Sequence, residues 1–326
     1  MTVGEFELIR RHFVRQSPSN TGVVLGIGDD AALLQPSPGL QWVVSSDMLV
    51  AGRHFFDDAP PEGLGHKALA VNLSDLAAMG ARPVAFTLAL ALPQADEAWL
   101  TAFARGLFAL ADAHHCSLIG GDTTRGPLNL CLTVMGEIAP GQALRRDTAQ
   151  VGDDIYISGG LGAAHLALAW LQGQSWAHQA VGPQLPDALR ARLERPIPRV
   201  ALGRALVGVA SSAMDLSDGL AGDVQHLLTA SGCGAVINLD AASQDPALLA
   251  LPADLRQRCA AVGGDDYELL FTAASDQRAA VQTAAERSQT PVTRIGHLTA
   301  ATGVQWQNAV GQRIEAGWQS FDHFAQ

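Results

Sequence analysis

The chain has 326 residues, 48% of them hydrophobic, and a formal net charge of −11 at pH 7. That length and apolar content fit two packed domains. The acidic excess, with no run of Lys or Arg, excludes a surface built for nucleic acid or for an anionic membrane.

Lys67 is the only lysine and is followed by alanine, which also excludes a Walker A loop. Cysteines 116, 131, 233 and 259 are far apart and form no CxxC pair, so a reducing, cytoplasmic setting is expected. His114 and His115 precede Cys116, but adjacent helical residues do not share a face, which argues against a metal site there. No charged leader with an apolar core and no apolar stretch of about 18 residues is present, so neither export nor membrane insertion is expected.

In chain order, Gly26-Ile-Gly-Asp-Asp30 comes first. Its glycines allow close backbone approach to a ligand, and a tight turn with solvated acids accounts for it equally well. Residues 41–50 read as a strand carrying Ser45, Ser46 and Asp47, followed by an isolated loop histidine, His54, which on its own reads as structural or solvated. A helical pattern covers roughly 62–79, with Lys67, Asn72 and Asp75 able to share one stripe of an otherwise apolar helix. Both faces of that helix should be covered, and a buried carboxylate then needs a partner, a role a metal would fill.

Residues 83–92 read as a strand and 96–114 as a helix. Ser117-Leu-Ile-Gly-Gly-Asp122 reads as a strand running into a glycine turn whose N–H groups form an anion nest beside an acid. A strand at 128–138 is followed by the turn signal Ala139-Pro-Gly-Gln and by Arg145 and Arg146. The expected division is 1–145 and 146–326.

The second half shows a strand at 154–158 opening onto Gly159-Gly160, a helix after Gly162 and a Pro-rich connection at 195–199. A strand then enters Asp215-Leu-Ser-Asp218-Gly, where Ser217 or Asp218 can serve as an N-cap, as a ligand, or as both. A helix from Gly219 and a strand near 234–239 follow. Gly263-Gly-Asp-Asp266 precedes a strand-like run in which Tyr267 and Glu268 fall on opposite faces. Gly-Asp-Asp recurs at 28–30, 152–154 and 264–266, a hint of two related halves.

The acids thus sit at element ends, where a fold can converge them. Clustered hard oxygen donors without Cys/His spacing favour Mg²⁺ or Mn²⁺ over zinc, and Mg²⁺ bridges carboxylates to substrate phosphates, so chemistry on a nucleotide is expected.

Taken in order from about Gly26 to Phe321, the segments GIGDDAALL, SSDMLVAGRHF, KALAVNLSDLAAMGARP, GGDTTRG, DLSDGL and GGDDYELLFT resemble the thiamine-monophosphate kinases. That family belongs with aminoimidazole ribotide synthetase, selenophosphate synthetase and a hydrogenase-maturation protein. The resemblance implies an α/β fold of two domains with mixed sheets. The N-terminal domain would bind metal and ATP and pair with its twin in a homodimer; the C-terminal domain would be a second α/β unit.

It also implies transfer of the ATP γ-phosphate to thiamine monophosphate, with several Mg²⁺ ions. By motif, the metal ligands would be Asp30, Ser45, Ser46, Asp47, Asp75, Asp122, Asp215 and Asp218, and the nucleotide contacts Gly121, Asp122, Arg146 and Ser217. Substrate contacts would be His54, Glu268 and Phe321, with Trp318 close enough in sequence to replace the last. The chain has Asp265 where the family usually carries Glu, so Asp265 receives no role.

No general base is expected, because an acceptor phosphate with a second pKa near about 6 is already largely ionised at neutral pH. The alternatives are another ATP-using member of the superfamily or a non-catalytic, metal-dependent nucleotide-binding protein. A selenophosphate synthetase would be expected to carry a reactive Cys or selenocysteine and a lysine ahead of Lys67, and the segments match aminoimidazole ribotide synthetase less well.

Overall fold

The computed structural model describes residues 5–15, 22–315 and Trp318. Phe321 lies outside the described residues. The chain forms two compact units, the first of residues 1–76 and 81–141 and the second of 77–80 and 142–326. No helix among the described residues is long and apolar enough to cross a membrane.

The first unit contains α1 (Glu5–His12), β1 (Val23–Leu25), β2 (Leu33–Leu34), β3 (Gln41–Val50), α2 (Pro61–Ala78), β4 (Arg82–Leu92), α3 (Glu97–Ala113), β5 (Ser117–Arg125) and β6 (Asn129–Ile138). Its four-stranded sheet runs β3-β6-β4-β5, with β4 and β5 parallel and the other pairs antiparallel. Strand alternation divides the side chains into two faces. Phe86, Leu88, Leu90, Leu130, Leu132 and Val134 are buried on one; Thr87, Ala89, Cys131 and Thr133 are more open on the other.

Helix α2 covers the apolar face, and its Leu69, Leu73 and Leu76 are fully buried. It approaches α3 closely because both carry glycine at the crossing. A Cβ on Gly65 would lie 2.1 Å from the Phe103 carbonyl oxygen, and one on Gly106 would lie 1.8 Å from that of Glu62.

The second unit opens with β7 (Asp154–Ser158), α4 (Ala163–Leu171), α5 (Ser175–Val181), α6 (Asp187–Glu194) and α7 (Val200–Leu206). It continues through β8 (Ser212–Leu216), α8 (Leu220–Ser231), β9 (Gly234–Asn238), α9 (Leu239–Ala242) and α10 (Ala253–Val262). It closes with β10 (Glu268–Ala273), α11 (Arg278–Arg287), β11 (Val292–Thr299) and β12 (Gly303–Gln307). The sheet order is β12-β9-β11-β7-β10-β8, antiparallel throughout except β12 with β9. Ile155, Ile157, Met214, Leu216, Leu227, Ile237 and Leu270 share one core, while Leu166, Leu189, Leu193, Leu248 and Cys259 fill another around α4, α6 and α10.

Two sequence expectations change. The segment 117–125 is one unbroken strand, not a strand ending in a glycine turn, because β4 continues beside it in parallel register from Thr87 opposite Gly120 to Leu92 opposite Arg125. Glycine is required at 121 for that close pairing, since its φ is +146° and a Cβ would lie 1.8 Å from the Leu88 carbonyl oxygen. The Gly-Asp-Asp recurrences also have different settings. The first lies in an irregular bridge, the second leads into β7, and the third is a loop after α10.

Candidate active site

In the first unit β3 and α2 bring together three of the expected residues. Ser45 and Asp47 are two apart on β3 and share the face toward α2. The Ser45 hydroxyl donates to Asp75 Oδ2 at 2.5 Å, and the Asp47 amide donates to Asn72 Oδ1 at 3.1 Å. Asn72 is held in turn by its own Nδ2–H, which donates to the Ala68 carbonyl at 2.9 Å. Burial, reinforced by the neighbouring Asp75 carboxylate, pushes Asp47 up to about 6.

Ser46 occupies the other face, where its hydroxyl donates to the Leu132 carbonyl at 2.9 Å. Asp122 shares that opposite face, because it pairs in register with the exposed Ala89, and it stands on the far edge strand β5. Asp30 is exposed in the bridged turn, its amide donating to Asp29 Oδ1 at 2.8 Å. Among the described residues no group of three or more His, Cys, Asp or Glu side chains converges as a metal cage. What converges is a carboxylate pair with a hydroxyl, all hard oxygen donors. That set fits Mg²⁺, which commonly uses one or two carboxylates and completes its shell with water and substrate phosphate.

His54 folds back onto its own turn: the Val50 N–H donates to Nδ1 at 3.0 Å. The neutral ring therefore carries its proton on Nε2.

In the second unit Asp215 is the penultimate residue of β8, and the loop 217–219 leads into α8. The cap reading for Ser217 and Asp218 does not hold. The cap position is Gly219, with no side-chain cap, and Asp223 from inside the helix turns back to accept from the Asp218 amide at 3.0 Å and the Gly219 amide at 3.1 Å. Burial pushes Asp223 up to about 7.

The loop 263–267 packs beside this one, the Asp265 amide donating to the Ser217 carbonyl at 2.8 Å and the Tyr267 amide to that of Leu216 at 2.9 Å. Asp265 and Tyr267 have φ of +67° and +49°, a strained backbone of the kind that clusters at functional sites. Asp266 is buried and caps α4, accepting from the Gly162 amide at 2.6 Å, while burial pushes its carboxyl up to about 8.

Glu268, expected as a substrate contact, is 1% exposed. Arg199 grips both its oxygens, with Nε at 2.6 Å and Nη2 at 2.5 Å, and the Ser158 hydroxyl donates to it at 2.5 Å. A direct contact with substrate would require it to leave that clamp. Arg146 is exposed, and its backbone carbonyl accepts from the Ser231 hydroxyl at 2.7 Å. Trp318 packs edge-on against Trp306, ring centroids 5.5 Å apart. Sequence reasoning missed Asn72 as the residue that orients the Asp47 backbone, and also Asp223 and Arg199. An acid in the first turn of a helix that starts on glycine was the available signal for Asp223.

The N-terminal domain of AIR synthase related proteins matches residues 28–138, and their C-terminal domain matches residues 150–307. The thiamine-monophosphate kinase of Salmonella typhimurium is 45% identical over 328 residues, covering 100% of this chain and 99% of that protein. The crystal structure of thiamine-monophosphate kinase from Stenotrophomonas maltophilia is similar at a TM-score of 0.82 and 50% identity, covering 89% of this chain and 92% of that one. AaThiL complexed with AMPPCP and TMP is similar at a TM-score of 0.75 and 26% identity, covering 91% of this chain and 92% of that one. With matches that run from end to end, and with both domains accounted for, the chain belongs to the thiamine-monophosphate kinase family.

Proposed function

We propose that the chain transfers the γ-phosphate of ATP directly onto the phosphate of thiamine monophosphate, giving thiamine diphosphate. The observation that carries this reading is the Ser45–Asp75–Asp47 cluster, a set of hard oxygens in which two carboxylates crowd each other. It is supported by the family's activity and by the nucleotide analogue and TMP held by a relative of the same fold.

The chemistry asks little of a protein base, because the acceptor oxygen is already ionised. The obstacle is repulsion between acceptor and polyphosphate. Magnesium ions, when bound, neutralise phosphate oxygens and align donor with acceptor. Asp47 and Asp75, with Ser45, would hold such an ion. Asp30, Ser46, Asp122, Asp215 and Asp218 are further ligands in this reading, acting with substrate oxygens and not as one protein cage. Arg146, Gly121 and Ser217 would contact nucleotide, and His54 would donate from Nε2 to substrate. Glu268 would act through Arg199, and Phe321 would stack on the substrate rings.

The homodimer belongs to the same reading. The open face of the first unit's sheet carries Val44 and Met48, 61% and 54% exposed, beside the half-buried Thr133 and Cys131. An apolar face of this kind marks an interaction surface, and a second copy of the same sheet would cover it. The four cysteines are free thiols, which supports a cytoplasmic setting.

The deciding experiment measures ATP consumption with thiamine monophosphate as acceptor and identifies the product by chromatography. Formation of thiamine diphosphate is expected. Turnover with selenide or formylglycinamidine ribotide instead, or nucleotide binding without turnover, would overturn the assignment.

A further inference from the structure

The loop from Asp215 to Gly219 can be accounted for donor by donor. Buried backbone groups must find partners. The Leu216 and Ser217 carbonyls accept from the amides of Tyr267 and Asp265 at 2.9 and 2.8 Å. The amides of Asp218 and Gly219 donate to Asp223 Oδ2 at 3.0 and 3.1 Å, and the Ser217 amide hydrogen-bonds the same carboxylate. Asp223 itself is 4% exposed.

Three successive amides at the head of a helix ordinarily form an anion site, with the helix dipole behind them. Here the chain supplies its own anion. Gly219 fixes the geometry from the other side: its φ is +108°, and a Cβ there would lie 2.9 Å from the Val262 carbonyl carbon. With the amides and the Leu216 and Ser217 carbonyls engaged inward, the oxygen donors this loop can offer a ligand are side chains: the buried Asp215 and the partly exposed Ser217 and Asp218.

We propose that Asp223 is a positioning residue: by filling the amide nest at the start of α8 it makes the 215–219 loop a cation-binding element and bars that loop from holding phosphate through its backbone. The inference rests on the reading of Asp215 and Asp218 as metal ligands and adds what makes them so.

The test uses the full chain and two probes, Mn²⁺ followed by electron paramagnetic resonance without nucleotide, and inorganic phosphate followed by melting temperature. Asp223→Ala should weaken Mn²⁺ binding by about tenfold or more, the range found when a residue that orients metal ligands is removed. It should also acquire stabilisation by phosphate that the parent lacks. Asp223→Asn keeps one acceptor oxygen in place and should recover most of the Mn²⁺ affinity. It also serves as the test if the alanine variant does not fold: phosphate should then stabilise it more than the parent.

Mn²⁺ affinity and phosphate response equal to the parent in the folded Asp223 variants, while Asp215→Asn loses Mn²⁺, would overturn the role of Asp223 alone. Unchanged Mn²⁺ binding in Asp215→Asn would instead overturn the metal reading on which it rests.

Discussion

Replacing Asp47 with asparagine should stabilise the protein while abolishing turnover, and the size of the gain can be worked from the site. The folded carboxyl is raised from 3.8 to about 6, first by burial and then by Asp75. Below the lower value both folded and unfolded chains hold the proton, and the carboxyl contributes no penalty. Between the two, the unfolded chain ionises first, so the penalty on folding grows as pH rises; above about 6 it is constant. The full shift corresponds to roughly 3 kcal/mol, and solvent reaching the partly exposed side chain reduces this to about 1–2 kcal/mol. Asp47→Asn removes the penalty. Urea unfolding without divalent ions should show the variant more stable than the parent by about 1–2 kcal/mol at pH 8 and equal to it near pH 3.5. Mg²⁺ should stabilise the parent more than the variant at pH 8. A difference that does not change between the two pH values, or a variant less stable at pH 8, would refute the account of Asp47 as a crowded, buried carboxylate.

Removing Arg199 by Arg199→Ala leaves the buried Glu268 with only the longer 3.8 Å ion pair to Arg192 and should cost about 2–4 kcal/mol, read as a lowered unfolding midpoint, whereas the double variant Arg199→Met, Glu268→Met should recover most of it. Gly121→Ala places a Cβ against the Leu88 carbonyl and should destabilise by about 3 kcal/mol or more in chemical denaturation. Asp122→Asn and Asp215→Asn should each abolish turnover with circular dichroism unchanged; near-normal rates at saturating Mg²⁺ would remove both from the metal-ligand set. Met48→Glu should convert a dimer to a monomer in light scattering if the open sheet face is the interface.

The elements were legible because their signals are local. The apolar alternation of 41–50 and 83–92 and the long apolar run of 62–79 fall within a residue or two of β3, β4 and α2. The polar gaps in α2 were equally informative, since Asn72 and Asp75 do face β3. Period-two alternation alone separates Ser46 from Ser45 and Asp47. What was not legible depends on partners far along the chain. Gly120 and Gly121 look like a turn until β4 is seen beside them, and nothing around Glu268 in the sequence announces that Arg199, 69 residues away, grips it. Asp223 stands out in sequence only as an acid in the first turn of a helix; its burial and its grip on the loop amides appear only in the fold.

The structure divides the acids of this chain into two kinds, and the division explains how so acidic a protein can hold polyphosphate. Arginine or backbone N–H groups answer one kind internally: Glu137 has Arg82 and Ser37, Asp154 has Arg278 and Arg294, and Glu268 has Arg199. Hydrogen bonds from Ser37, and after them Arg82, hold the Glu137 carboxyl below its usual range despite burial, and Arg278 and Arg294 do the same for Asp154, so their charge is stable at neutral pH. Asp47 is the opposite case, raised by burial and by a second carboxylate, so without a cation its ionised form is disfavoured relative to an ordinary carboxylate. In the proposed reading a divalent cation would reverse that preference, and a triphosphate would bring the cation with it. Binding energy for substrate and relief of carboxylate crowding are then one event, which is why a site with so few lysines suits a reaction between two anions.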